Sequence, residues 1–499
     1  MRERARPERA RWSARSRPPL QPRPPPVPAG LRLLPDPGLR SSRGGAVLLG
    51  GHPYRLLRIS PAAAAMVGAW WEGTPVPDLA AAQVLARRLL DIGMAHPIPA
   101  VGDAGGDVTV VIPARDRAAE LARCLAGIGD LPVIVVDDCS ADSGAVAAAA
   151  AAAGARYLRR PVNGGAAAAR NTGLAAAGTP LVAFLDSDCV PAPGWLAGLV
   201  PHFCDPAVAA VAPRIVSDER GQGWLARYEG MRSALDMGPG ESIVRPGARV
   251  PYVPGAALVI RKAAAGAGFA EDMPVGEDVD FVWRLCEAGW RVRYEPSVTV
   301  AHQHRVRLRE WFARRSDYGT SAAPLELRHP GTVPAVTMSG WSAAAWVAAV
   351  AGRPAAGAAI VGATTGLLAR RLAPHTSDAW PLAGRLAGAG TIAAGRLLGS
   401  ALTRAWWPVA LPAALAVPRL RLPLAALVLG PAFLDWCAHR PDMDPGSYVA
   451  ARLLDDLAYS VGVWQGCLDH RTTRPLRPLL WWWSGTTEPG GPRPRQGRP

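Results

Sequence analysis

The sequence predicts an α/β protein: a mostly parallel sheet with helices on both faces, a smaller unit before it and an apolar helical region after it. Three observations carry that expectation. From Asp107 to about Asp188, short apolar runs rich in β-branched residues alternate with helical patterns, as in a parallel sheet buried on both faces. Three of those runs end in Pro113, in Asp137 and Asp138, and in Asp186 and Asp188, and ligands of such sheets bind beyond the carboxyl ends of the strands. Finally, 499 residues are too many for one ordinary core, so roughly three domains are expected.

Taken in order, residues 1–30 are Arg and Pro without the apolar core of a signal peptide, which predicts a disordered tail and no export signal. Residues 31–100 form a small unit. "GAVLLGGHPYRLLRIS" reads as two short strands around Gly50 and Gly51; "PAAAAMVGAWWEG" and "DLAAAQVLARRLLDIGMAHP" read as helices, the second stopped at Gly93. Its size suits a winged-helix-like domain or, equally, a packing extension of the next domain. No dense basic recognition helix points to nucleic acid. "VGDAGGD" (101–107) is a linker by composition.

The catalytic candidate spans 107–325. "VTVVIPARDR", "PVIVVDDCSADSG", "ARYLRR" and "TPLVAFLDSD" read as strands, and "RAAELARCLAGIGD", "SGAVAAAAAAAG" and "NGGAAAARNTGLAAAG" as the helices between them. Two carboxylates one residue apart at a strand end repel each other, so Asp186 and Asp188 want a shared cation; an ordinary polar turn closed by Pro191 and Pro193 is the plainer alternative. "PVGEDVDF" places Glu277, Asp278 and Asp280 at a helix start, where acidic residues also serve as caps.

"VVIPARDR", "VIVVDDCSADSG", "NGGAAAARNTGL", "FLDSDCVP" and "GEDVDFVWRLCEAGWRVRYEPSVTVAHQH", in this order and spacing, resemble a family 2 glycosyltransferase with the GT-A nucleotide-sugar-binding fold, from about Asp107 to His304. The resemblance implies a role for each matching residue. Asp188 would ligate a divalent metal ion, Mn2+ or Mg2+, with Asp186 toward the ribose and the metal, and His302 or else its competitor His304 as a further ligand. Asp137 and Asp138 would receive the base, past which Pro113 and Arg115 turn. Arg170 would face the nucleotide; pairing with Asp186 or Asp138 is the plainer reading, and both can hold in the empty enzyme. Asp278 would be the general base beside Glu277, implying inversion by single displacement. Gly255, Ala256 and Ala257, expected after a strand, would leave room for the acceptor. Arg314, Arg315 and Tyr318 form either a gate over the diphosphate or acceptor, or an exposed helix end.

Residues 333–478 turn to Ala, Leu, Gly and Trp with sparse charge, followed by a tail at 479–499. "VPAVTMSGWSAAAWVAAVAG" approaches a bilayer span of ~20 residues; "LRLPLAALVLGPAFLDW" is shorter, and "WWPVALPAALAVP" is broken by prolines. Membrane spans, an interfacial pair or a buried helical domain all fit, and flanking Arg and Trp favour membrane contact. A net charge of +15 suits an anionic membrane surface or a phosphorylated substrate. Seven scattered cysteines without a CxxC pair argue against zinc or a disulfide framework and for a reducing cytosol.

With "GGHPYRLLRIS" before the core and "LAYSVGVWQGCLDHRT" after it, the whole chain resembles the mycofactocin-system glycosyltransferases of actinobacteria, and its first unit resembles the winged-helix peptide-binding domains of ribosomally made cofactor pathways. That resemblance implies β-1,4-linked glucose added from UDP-glucose to a peptide-derived redox cofactor precursor, at the cytosolic face of the cell membrane. A lipid or polysaccharide acceptor is the alternative with the same chemistry, and a catalytically silent peptide-binding module the alternative from another class. Keeping Asp138, Asp186, Asp188 and Asp278 together argues against silence.

Overall fold

Buried apolar strands organise the molecule, and helices fill the connections between them. The computed structural model describes residues 24–99, 107–218, 223–305 and 307–482. Residues 1–23, the linker at 100–106 and residues 483–499 of the expected tails lie outside the described residues.

The first unit contains β1 (Arg32–Pro35), β2 (Arg40–Ser42), β3 (Val47–Gly50), β4 (Arg55–Arg58), α1 (Pro61–Trp71), α2 (Ala80–Asp91) and β5 (Ala95–Ile98). β1 pairs antiparallel with β5, and β2, β3 and β4 form a three-stranded antiparallel sheet. Ser60 starts α1 by accepting from the Ala63 N–H, and Pro61 occupies the first turn, where its missing N–H costs nothing. Residues 24–30, assigned by composition to the tail, belong to this unit: Val27 is buried in its core, and the Pro25 carbonyl accepts from Arg87. Arg87 then grips Asp205 with two hydrogen bonds of 2.8 and 2.6 Å, and Arg291 grips Asp91 likewise at 2.7 and 2.6 Å, so forked ion pairs dock the unit on the larger domain.

That domain runs through β6 (Val108–Ala114), α3 (Ala118–Ala126), β7 (Val133–Asp137), α4 (Ser143–Ala152), β8 (Arg156–Arg159), α5 (Gly165–Ala176), β9 (Leu181–Leu185), β10 (Cys189–Pro191) and α6 (Trp195–Leu199). It continues with β11 (Val208–Ser217), α7 (Trp224–Arg232), β12 (Ser242–Val244), β13 (Ala257–Arg261), α8 (Glu277–Glu287), β14 (Arg291–His302), α9 (Leu308–Thr320) and α10 (Ala322–Arg328). Its nine strands form one sheet in the order β10-β14-β11-β13-β9-β6-β7-β8, with β12 on β14. Successive residues of β6 feed opposite cores, Val111 one and Val110 and Ile112 the other, which is why the run is apolar throughout. Gly173 of α5 lies so close to β6 that a Cβ there would sit 2.2 Å from Val111.

The expected mostly parallel sheet is corrected to a mixed one. β6, β7, β8 and β9, each joined to the next in the chain by a helix, are parallel, but β13 runs antiparallel to both β9 and β11, as do β10 and β12 to β14. Beyond Asp188 the connections are no longer regular single-helix crossovers, so returning strands pair antiparallel.

The remaining elements are β15 (Val336–Ser339), α11 (Gly340–Val350), α12 (Pro354–Leu372), α13 (Ala379–Arg404), α14 (Trp407–Ala416), α15 (Pro418–His439), α16 (Pro445–Asp469) and β16 (Pro478–Trp481). The stretch expected to approach a bilayer span divides into β15 and the 11-residue α11. Conversely, the "LRLPLAALVLGPAFLDW" run lies within the 22-residue α15 despite Pro423 and Pro431, and among the described residues it is the one helix long and apolar enough to cross a membrane. α16 instead presses on α9 through glycines: a Cβ on Gly462 would lie 1.8 Å from the Ser316 carbonyl oxygen, and one on Gly319 2.1 Å from that of Tyr459. Residues 479–481, assigned to the tail, pair within β16 against β15.

Candidate active site at the carboxyl ends of the strands

Strand direction brings the acidic residues together. β6, β7 and β9 run parallel, so Pro113, Asp137 and Asp186 emerge on one edge. β10 folds back against β14 and sets Cys189 opposite His302, which carries the neighbouring Asp188 to the histidine. His302 Nε2 lies 3.6 Å from Asp188 Oδ1, beyond a hydrogen bond, and its Nδ1 is buried with no hydrogen-bond partner among the described residues. Two neighbouring ligands of one divalent ion stand about 3 to 4 Å apart, and a carboxylate oxygen with an imidazole nitrogen suits Mn2+ or Mg2+ once phosphate oxygens complete the shell. The donor set therefore fits a metal. Among the described residues no group of three or more His, Cys, Asp or Glu forms a complete cage by itself. His304 points elsewhere: its Nδ1 is 3.3 Å from Glu229, and burial together with the His302 and Arg315 charges pushes its pKa down to about 4.

The other carboxylates each have a partner. Asp137 is fully buried; its oxygens accept from the Ser140 N–H at 2.8 Å and the Tyr157 hydroxyl at 2.6 Å. Burial raises its carboxyl pKa, but these hydrogen bonds and Arg159 bring it below the usual carboxylate range. Asp138 accepts from Arg160 Nε at 2.9 Å and from the backbone N–H groups of Gly164 and Gly165, tying the glycine turn before α5 to the end of β7. Arg115 is half-exposed beside Asp116, next to Pro113 on β6.

Arg170 is buried, 3% exposed, and does not pair with Asp138. One nitrogen donates to Asp186 at 2.7 Å and another to Glu277 at 2.8 Å, while the guanidinium lies over Phe269. These ion pairs connect the end of β9 to α8. Burial and the Asp278 charge raise the Glu277 pKa, against the pull of Arg170. Asp278, at the start of α8, accepts the Gly255 N–H at 2.7 Å through Oδ2 and the Val279 N–H at 2.8 Å through Oδ1. Gly255 and Ala256 precede β13 rather than follow a strand, correcting that expectation, and the Ala256 carbonyl accepts from the Asp186 N–H. A Cβ at Gly255 would meet the Asp278 Cβ at 3.0 Å and the Arg170 guanidinium at 3.3 Å. The loop before β13 is thus pinned against the Asp278 carboxylate and the Arg170 guanidinium.

α9 is a packed helix, not an exposed end. Arg315 is buried between Glu229 and Asp455, joining α7, α9 and α16, whereas Arg314 lies over Tyr318. Sequence reasoning missed Arg117 and Arg160. Arg117 Nη1 donates to Asp188 Oδ2 at 2.8 Å, and its signal was the second arginine of "PARDR".

Residues 109–266 match the model of Glycosyl transferase family 2. With the GT-A-like mixed sheet, this match defines a glycosyltransferase. The chain is 43% identical over 476 residues to the "Pre-mycofactocin glycosyltransferase" of two Mycobacterium tuberculosis strains, covering 91% of this chain and 98% of theirs. It belongs to that glycosyltransferase family. An "N-acetylglucosaminyltransferase" of Mesorhizobium japonicum is 27% identical over 225 residues, 41% of this chain and 53% of its own length. A solved mannosyltransferase from Pyrobaculum calidifontis, in complex with GDP-Man and Mn2+, is 21% identical with a TM-score of 0.36, covering 67% of this chain and 89% of that one.

Proposed function

We propose that the protein transfers a hexose, glucose from UDP-glucose, in β-1,4 linkage onto pre-mycofactocin, with inversion. The observation that carries this is one strand-end edge with Asp188 and His302 on one side and Asp278 on the other, linked through their neighbours Asp186 and Glu277 by Arg170. The acceptor comes from the relative that shares nearly the full length.

The nucleotide lies along the edge formed by Pro113, Arg115 and Asp138, with Asp137 holding the turn beneath it and Asp186 toward the ribose. Asp188 and His302, with Asp186 alongside, would hold a divalent cation, whose charge, when bound, would offset that of the departing diphosphate. Two backbone N–H groups orient the Asp278 carboxylate and leave lone pairs for the acceptor. As the acceptor oxygen bonds to the anomeric carbon, its proton passes to Asp278, and the bond from that carbon to the diphosphate breaks with both electrons leaving on UDP. No second carboxylate is needed as nucleophile, so the configuration inverts. Gly255, Ala256 and Glu277 border the acceptor, and Arg170 keeps the donor and acceptor ends in register.

The division into a winged-helix-like unit, a catalytic domain and an apolar helical region belongs to the same proposal. The peptide portion of the acceptor meets the first unit, where β2 stands at the edge of its sheet. α14 and α15 contact the cell membrane with the catalytic domain on the cytoplasmic side, supported by exposed Val409, Leu415, Leu422 and Phe433. The same apolar surface favours a second acceptor reading, a lipid carrier. Purified protein with UDP-glucose, Mn2+ or Mg2+ and each acceptor separates them: hexose mass is expected on pre-mycofactocin, and turnover on a polyprenyl phosphate alone would overturn the acceptor.

A further inference from the structure

Asp188 already has a cation in this structure. Arg117, the residue before α3, reaches it with Nη1 at 2.8 Å from Oδ2, while Oδ1 faces His302 Nε2 at 3.6 Å. The two basic residues therefore address different oxygens of one carboxylate, and the His302 side is the side suited to a metal. Two strand-end arginines differ in how firmly they are held. Arg160, on Asp138, also donates to the Ala168 carbonyl and the Thr172 hydroxyl, and its side chain is 21% exposed. For Arg117, the hydrogen bond to Asp188 is the one side-chain bond among the described residues, and its side chain is 40% exposed. Arg160 is built in; Arg117 is free to swing.

A guanidinium and a divalent ion cannot share one carboxylate without strong repulsion at this range. A forked guanidinium is, however, well matched to phosphate oxygens, which a sugar nucleotide brings to the same place. We propose that Arg117 is the exchangeable counter-ion of Asp188: it competes with the metal for this carboxylate and transfers to the donor's diphosphate when the two arrive together. The inference rests on the reading of Asp188 and His302 as metal ligands. It makes metal and nucleotide binding cooperative, each strengthening the other by the same factor, because the nucleotide gives Arg117 another anion to hold. Metal alone must displace Arg117 into water; metal with diphosphate exchanges one ion pair for another.

The test measures Mn2+ binding to the full chain, from the electron paramagnetic resonance signal of free Mn2+, with and without UDP. Wild type, Arg117→Gln and Arg117→Lys are compared on protein whose melting temperatures match. Arg117→Gln is expected to bind Mn2+ alone about 10-fold more tightly than wild type and to gain less from UDP; Arg117→Lys, which keeps the charge but not the fork, falls between. Arg117→Gln binding Mn2+ no more tightly than wild type, while wild type binds Mn2+ with UDP, overturns the exchange. Wild type that takes up no Mn2+ even with UDP overturns the metal reading, and this inference with it.

Discussion

The carboxylates along the strand-end edge are held by different means. Toward β6 to β9, each of three has a side-chain cation: Arg117 on Asp188, Arg170 on Asp186, and Arg160, together with the Gly164 and Gly165 N–H groups, on Asp138. At the acceptor end, Asp278 is held by backbone, the N–H groups of Gly255 and Val279. A side-chain partner held as loosely as Arg117 can exchange for a metal or a phosphate; backbone partners cannot leave. On the proposed function, that difference suits an end that admits and releases a charged nucleotide, beside an end whose base stays aimed.

The largest effects should separate the ends. Asp188→Ala is expected to lower kcat/KM by at least about 10³-fold, as for loss of a contact to the charge formed in the transition state, and to weaken binding of UDP with Mn2+ in titration calorimetry. Asp278→Asn should lower kcat by about 10² to 10⁴-fold while leaving UDP binding close to wild type. Arg170→Met removes the link between the ends and leaves Asp186 and Glu277 without their buried partner. A loss of about 3 to 5 kcal/mol of stability, read by denaturant unfolding, is expected together with loss of activity; a variant as stable as wild type would show that the ends are independent. Gly255→Ala pushes most closely on Asp278 and next on the Arg170 guanidinium, and should lower kcat by about 10 to 100-fold with a smaller change in donor KM.

These positions differ in how far the sequence announced them. Asp186, Asp188, Asp137 and Asp138 stand out because an apolar run must stop where its strand leaves the sheet, and a carboxylate there is conspicuous. Which cation each one meets could not be read, since Arg117 is 71 residues from Asp188 and nothing local distinguishes it from Arg115. The same limit hid Arg315, whose buried partners Glu229 and Asp455 lie far along the chain in each direction. The antiparallel half of the sheet was misjudged because helix and strand alternation fades after β9, leaving only pairing, a long-range property, to set direction. In α15, "LRLPLAALVLGPAFLDW" reads as too short for a span because its apolar run stops early, but the helix extends past it at both ends and continues through Pro423 and Pro431. The glycines of "YSVGVWQG" went unread as a contact face, because only the structure shows Gly462 and Gly466, four apart, lying against the backbone of α9.

The smallest expected effect concerns the support of the acceptor end. His329 is buried between Asp280 of α8 and Glu287, and although burial pulls its pKa down, those two carboxylates raise it to about 9. The raised value means that the protonated ring stabilises the fold fully below about pH 6.5, and that this contribution is lost as pH climbs through about 9. The melting temperature should therefore fall across that interval in wild type by more than in His329→Gln.

The central claim is that metal holding and proton removal are separate tasks on opposite sides of one strand-end edge. Measuring UDP–Mn2+ affinity and hexose transfer to pre-mycofactocin side by side in wild type and Asp278→Asn tests it most directly. The account predicts near-normal UDP–Mn2+ affinity with transfer abolished in the variant; near-normal transfer by Asp278→Asn would contradict it.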